Sequence, residues 1–222
     1  MNGILPVAIP PMLLFSAMGI LSLIDNGHVI ARELKRKALH ISVGLTALSF
    51  PLFLTAPWMI VTALGLVVLW LFAVRRVPIL RRHFGSVLHE VSRDSLGEIY
   101  FALSIGGLLL LTPDKPVFFV VPILILALAD ASAAIVGKVF PIGPLTGIAR
   151  GKTVAGCAAF FVVAFLVSFG TLVGLVELQT AHALMLASAL AVTTCAAEAV
   201  SRGGIDNFVV PGTAYLTLMA GL

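Results

Sequence analysis

PVFFVVPILILALADASAAIVG, residues 116–137, runs for 22 residues with a single charge, Asp130. A helix needs about 20 apolar residues to cross the hydrocarbon core of a bilayer, so this stretch is long enough to span one. Working outward, further apolar stretches fill residues 4–23, 39–56, 57–74, 98–112, 153–176, 181–199 and 208–222. Those at 98–112 and 208–222 hold 15 residues each. Tilt, local thinning or ends a few residues further out would let them span. The pattern predicts an all-α polytopic integral membrane protein with about eight transmembrane helices, folded as a single transmembrane domain over 1–222. Pro10 and Pro11 fall inside the first stretch, and Met1-Asn2-Gly3 carries no basic run. That stretch therefore reads as a retained, kinked helix rather than a cleaved signal.

Charge sets the orientation. Of 14 Lys and Arg, 13 lie in alternate gaps between the stretches, and only Lys115 lies on the other side. Cytoplasmic loops collect Lys and Arg, so both termini are expected outside and the basic gaps inside. Hydrophobic residues make up 60% and charged residues 11%, against about 25% charged in a soluble domain. No room is left for a separate soluble domain, and a nucleic-acid partner is excluded because no basic aromatic-bearing module stands outside the membrane. The net charge of +4 instead favours contact with anionic membrane lipids. Cys157 and Cys195 lie inside predicted spans without metal-ligand spacing and read as small packing residues.

Two segments near the inner face have their own pattern. Leu80, Phe84, Val87, Leu88 and Val91 form a helical apolar stripe, with Arg81, Arg82, His83, Ser86, His89, Glu90 and Arg93 on the other face. This predicts an amphipathic interfacial helix near 78–95, either a plain connector or a lid for substrate entry. Residues 25–38 also favour helix, capped by Asp25 or Asn26 and running into the second stretch.

Carboxylates beside a span are functional candidates, because burying charge in lipid is costly. Glu98, Asp130, Glu198 and Asp206 all fall toward the inner side. Ala133, Ala134 and Gly137 follow Asp130 at i+3, i+4 and i+7, a small-residue face that lets another helix approach. Two such helices, each with a carboxylate, suit Mg²⁺, which takes oxygen ligands from one or two carboxylates plus phosphate. The alternative is a buried carboxylate paired with an Arg for structure. Arg36, Lys37, Lys138, Arg150, Lys152 and Arg202 supply cations on the same side. Gly151-Lys152-Thr153 opens the sixth stretch, where backbone N–H groups are expected to face an anion. It is not a nucleotide-binding P-loop: the required first glycine position is Thr146, and no strand precedes it. His40, one turn from Arg36 and Lys37, can touch a phosphate or take a proton.

These residues carry a resemblance. Arg36-Lys37-Ala38-Leu39-His40, Gly97-Glu98-Ile99-Tyr100, Asp130-Ala131-Ser132-Ala133 with Gly137-Lys138, Lys152-Thr153-Val154-Ala155-Gly156, and Glu198 with Asp206-Asn207 and Pro211 stand in this order. The chain resembles the CTP-dependent lipid-alcohol kinases: dolichol kinase, phytol kinase and the CTP-dependent diacylglycerol kinase. The resemblance implies transfer of the γ-phosphoryl group of CTP to a lipid alcohol such as a polyprenol, a phytol-like prenol or diacylglycerol. It implies Mg²⁺ on Asp130, Glu198, Asp206 and Asn207. Phosphates would be held by Arg36, Lys37, Lys138, Lys152, Thr153 and Gly156, with Asp130 or His40 as proton acceptor and Glu98 as a further candidate. The active site would face the cytoplasm. A membrane cytidylyltransferase and a small-solute transporter are the competing readings.

Overall fold

The computed structural model describes residues 5–23, 29–88, 96–112, 114–149 and 151–222, and every regular element among them is helical. The chain divides into two compact units, 1–113 and 114–222.

In the first unit α1 (Leu5–Ser22), α3 (Pro57–Arg76) and α5 (Gly97–Leu111) surround a core of Leu14, Met18, Leu71, Val74 and Ile99, joined by Leu39 of α2 (Val29–Ala47). Pro10 and Pro11 lie within α1. As expected, α2 runs on into the second apolar stretch; the cap proposed at Asp25 or Asn26 lies outside the described residues. The helix stops at Ala47, not at residue 56, and a 3₁₀ turn (Phe50–Leu52) follows. Pro51 stands inside that turn, and proline supplies no N–H to an α-helical ladder. The interfacial helix is α4 (Pro78–Leu88); its expected continuation to residue 95 lies outside the described residues. Phe84 anchors α4 in an aromatic trio, with ring centroids 5.6 Å from Phe15 and 5.9 Å from Trp70, while Phe15 and Trp70 lie 5.2 Å apart.

The second unit packs α6 (Val117–Leu124), α7 (Asp130–Val139), α8 (Val154–Gly174), α9 (Thr180–Val200) and α10 (Asp206–Gly221). A π-helical turn, Ile125–Ala129, joins α6 to α7 and ends against Asp130. It follows Pro122, which cannot donate within the helix.

Among the described residues, five helical segments are long and apolar enough to cross a membrane: Leu5–Ser22, Pro57–Arg76, Val117–Val139, Val154–Gly174 and Thr180–Val200; Gly97–Leu111 is apolar but shorter. Val162, Leu166, Val192 and Leu216 are each more than half exposed. In water such side chains would form a costly apolar surface, whereas lipid covers them. Length, composition and exposed faces together make this a membrane protein.

Candidate functional site

The site begins with glycines. A Cβ on Gly156 of α8 would sit 2.9 Å from the Ala133 carbonyl of α7, and one on Gly137 would sit 2.9 Å from Thr153 Oγ1. Only bare backbone allows α7 and α8 to come this close. The small face after Asp130 is therefore a helix contact, and it carries Asp130 up against the start of α8.

The loop between α7 and α8 folds back on itself. Pro144 and Thr153 form a β-bridge, and Leu145 N–H donates to Lys152 O at 2.9 Å. Gly143 turns at φ +65, and a Cβ there would sit 2.8 Å from Val154 Cγ2. Val154 N–H donates to Gly143 O, Ala155 N–H to Ile142 O, and Gly156 N–H to the side chain of Thr153, the N-cap of α8. The expectation of anion-facing N–H groups at this helix start is corrected at those three residues, because the loop carbonyls and the cap already satisfy them. What the loop presents instead is the Lys152 side chain.

Lys152 Nζ donates to Glu198 Oε1 of α9 and lies 3.6 Å from Asp206 Oδ2 of α10. Asp130, Glu198 and Asp206 each bring one carboxylate oxygen within 4.8 Å of the others. Asp130 and Glu198 are buried and Asp206 is half-buried. Three carboxylates so close repel one another, and Lys152 supplies a compensating positive charge. Burial works against the Lys152 charge; Glu198, then Asp206, and more weakly Asp130 outweigh it, so the ammonium titrates above its ordinary value.

The cluster can hold a metal ion. Its donors are hard carboxylate oxygens from three helices, the kind that divalent Mg²⁺ and Ca²⁺ prefer. Glu198 Oε2 is buried without a hydrogen-bond partner, and a buried carboxylate oxygen left so is costly unless something positive reaches it. Both observations fit a cation.

Of the residues singled out in the sequence, Asp130, Lys152, Glu198 and Asp206 converge here. Asn207, buried, follows Asp206 in the first turn of α10. Thr153 and Gly156 stand beside the cluster as cap and contact point. Lys138 is exposed in the last turn of α7, about 12 Å along the helix from Asp130 at 1.5 Å per residue.

Arg36, Lys37, His40 and Glu98 belong to the first unit. There Arg36 pairs with Glu33 at 2.6 Å, and Arg75 with Glu98 at 2.7 Å. Lys37 is buried, and the His40 ring stacks on Phe101 at 4.2 Å between centroids. One contact had no signal in the sequence: Arg202, in the turn between α9 and α10, donates from Nη2 to Gly147 O in the α7–α8 loop. Cys195 Sγ likewise reaches Cys157 O at 3.5 Å, joining α9 to α8, in keeping with packing roles.

No family model and no solved structure matches the chain. Among characterised proteins it is similar to the phytol kinase of Synechocystis sp., 31% identical over 196 residues, which is 85% of this chain and 79% of that one. It is also similar to an uncharacterized protein of Methanocaldococcus jannaschii, 34% identical over 143 residues, 62% of this chain and 72% of the other.

Proposed function

The chain belongs to the lipid-alcohol kinase family, to which phytol kinase belongs, and on that premise we propose that it transfers the γ-phosphoryl group of CTP to the hydroxyl of a lipid alcohol, a phytol-like prenol or polyprenol, at the cytoplasmic face. The observation that carries this reading is the convergence of Asp130, Glu198 and Asp206 on one point with Lys152 against them. Phosphoryl transfer asks a protein for positioning and charge neutralisation rather than covalent chemistry, and this cluster offers both.

Asp130, Glu198 and Asp206, with Asn207, are the proposed Mg²⁺ ligands; an ion held there would supply charge neutralisation for the donor phosphates. Lys152 then turns from the carboxylates toward the donor phosphates, as a compact cation on a flexible stem can. Lys138, Arg36 and Lys37 are assigned phosphate contacts by motif. Thr153 and Gly156 set the backbone that presents Lys152. The lipid hydroxyl gives its proton to a carboxylate, for which Asp130 is assigned and His40 is the second choice. Its oxygen forms a bond to the γ-phosphorus, the bond from that phosphorus to the bridging oxygen breaks, and CDP leaves.

The test incubates purified protein in detergent with γ-labelled CTP or ATP, Mg²⁺, and a panel of prenols and diacylglycerol. A labelled lipid phosphate with release of nucleoside diphosphate is expected. Pyrophosphate release with a CDP-lipid product would show a cytidylyltransferase instead, and no labelled lipid from any pair would overturn the kinase reading.

A further inference from the structure

We propose that the open groove beside Asp206 receives the nucleoside of the phosphoryl donor, with its base stacked on the Arg202 guanidinium. This rests on the kinase reading and adds to it the part of the site that recognises something other than phosphate.

The groove, of about 690 Å³, is lined by Gly147, Val200, Ser201, Arg202, Ile205 and Val209. That volume falls within the range of small-molecule sites, roughly 300–1,000 Å³. Its position follows from chain order. Ile205 immediately precedes Asp206, and Ser201 is the C-cap of the helix that ends with Glu198, Ala199 and Val200. A nucleotide whose phosphates lie at Asp206 and Lys152 therefore has this groove as the adjoining space for its sugar and base.

The lining chemistry suits a base. Val200, Ile205 and Val209 give apolar walls, and no aromatic ring is among the described lining residues. Arg202 is the planar π group there. Its Nη2 donates to Gly147 O, and that bond ties the guanidinium to the α7–α8 loop. A planar guanidinium held in place is the kind of group on which proteins stack bases. The acceptor is a poorer occupant. A prenyl tail needs an apolar channel running along a span, whereas this groove lies at helix ends and is flanked by a loop and a charged residue.

The experiment measures binding of CTP, ATP and inorganic tripolyphosphate to detergent-purified protein with Mg²⁺. Tripolyphosphate has the phosphates without the nucleoside. Arg202→Ala is expected to weaken nucleotide binding about tenfold and to leave tripolyphosphate unchanged. Arg202→Lys, which keeps the charge and loses the plane, should weaken nucleotide similarly. Ile205→Trp, which fills the groove and leaves Arg202 itself unsubstituted, provides a second check with the same pattern expected. Equal weakening of nucleotide and tripolyphosphate would make Arg202 a phosphate contact, and unchanged nucleotide binding in the arginine variants and in Ile205→Trp would empty the groove of its role; either overturns the proposal. Wild-type protein that binds neither ligand would remove the kinase reading itself, a result distinct from both.

Discussion

On the proposed mechanism Lys152 has two jobs that exclude one another in time. Without a cation it compensates Glu198 and Asp206; with Mg²⁺ bound, that task would pass to the metal and the ammonium would be released for phosphate. Lys152→Met separates the two. In EDTA the variant leaves three carboxylates within 4.8 Å of one another without their ammonium. Removing one member of a buried ion pair costs roughly 3–5 kcal/mol. The Lys152 side chain is 27% exposed, so a loss of about 2 kcal/mol is expected here after solvent screening. Mg²⁺ should restore most of that stability, seen as a larger Mg²⁺-induced rise in Tm than in wild type, without restoring turnover. An Mg²⁺ response no larger than that of wild type would deny the shared occupancy. Asp130→Asn tests the other half. It removes one of three mutually repelling charges and keeps the shape, so Tm in EDTA should hold or rise while turnover falls by about a hundredfold or more. Retained turnover would take Asp130 out of the mechanism.

Helix packing makes that residue chemistry possible. Gly156→Val would drive a side chain into the Ala133 carbonyl, already only 2.9 Å from an ideal Cβ. Overpacking of this kind costs about 1–3 kcal/mol. Because the same contact seats Asp130 beside Lys152, turnover should fall further than stability alone explains. Gly170→Ala on the same helix meets nothing within 4 Å and should leave turnover unchanged; if both variants behaved alike, the close approach would have no catalytic meaning. The small face after Asp130 was legible in the sequence, since Ala133, Ala134 and Gly137 recur at helical spacing and spacing survives folding. The carboxylates and Lys152 were legible as candidates for a similar reason: charge beside an apolar run is conspicuous. Their pairing was not, because Lys152–Glu198 spans 46 residues and no local pattern encodes so distant a partner. The fold-back that sets Pro144 and Leu145 against Lys152 and Thr153 was hidden too. It depends on Gly143 reaching positive φ while its carbonyl meets Val154 N–H, a geometry that a Pro- and Gly-rich composition permits without specifying. Hydropathy also carried the second stretch to residue 56, because an average over apolar residues does not register the missing donor of Pro51.

A kinase for a lipid-dissolved acceptor and a water-soluble donor must work where the two phases meet, and the helical run Val117–Val139 measures how this chain arranges that. It holds 23 residues, about 34 Å at 1.5 Å per residue, slightly more than the roughly 30 Å hydrocarbon core. Lys115 precedes it, Lys138 sits in its last turn, and both are exposed. Asp130 lies eight residues from Lys138 and fifteen from Lys115, so on the proposed mechanism the face that Lys138 occupies is the one that receives the phosphates. The concentration of Lys and Arg on that side is the ground for proposing that it faces the cytoplasm, where nucleoside triphosphates are made. Single cysteines at Lys115 and Lys138, with Cys157 and Cys195 replaced by Ala, turn this into a measurement on intact cells. A membrane-impermeant maleimide should label the first directly and the second only after permeabilisation. The reverse pattern would place the carboxylate cluster on the side without nucleotide, and a kinase there would have no donor. Labelling of both positions in intact cells would mean that Val117–Val139 does not cross the bilayer at all, and the phase-boundary argument for this site would fail with it.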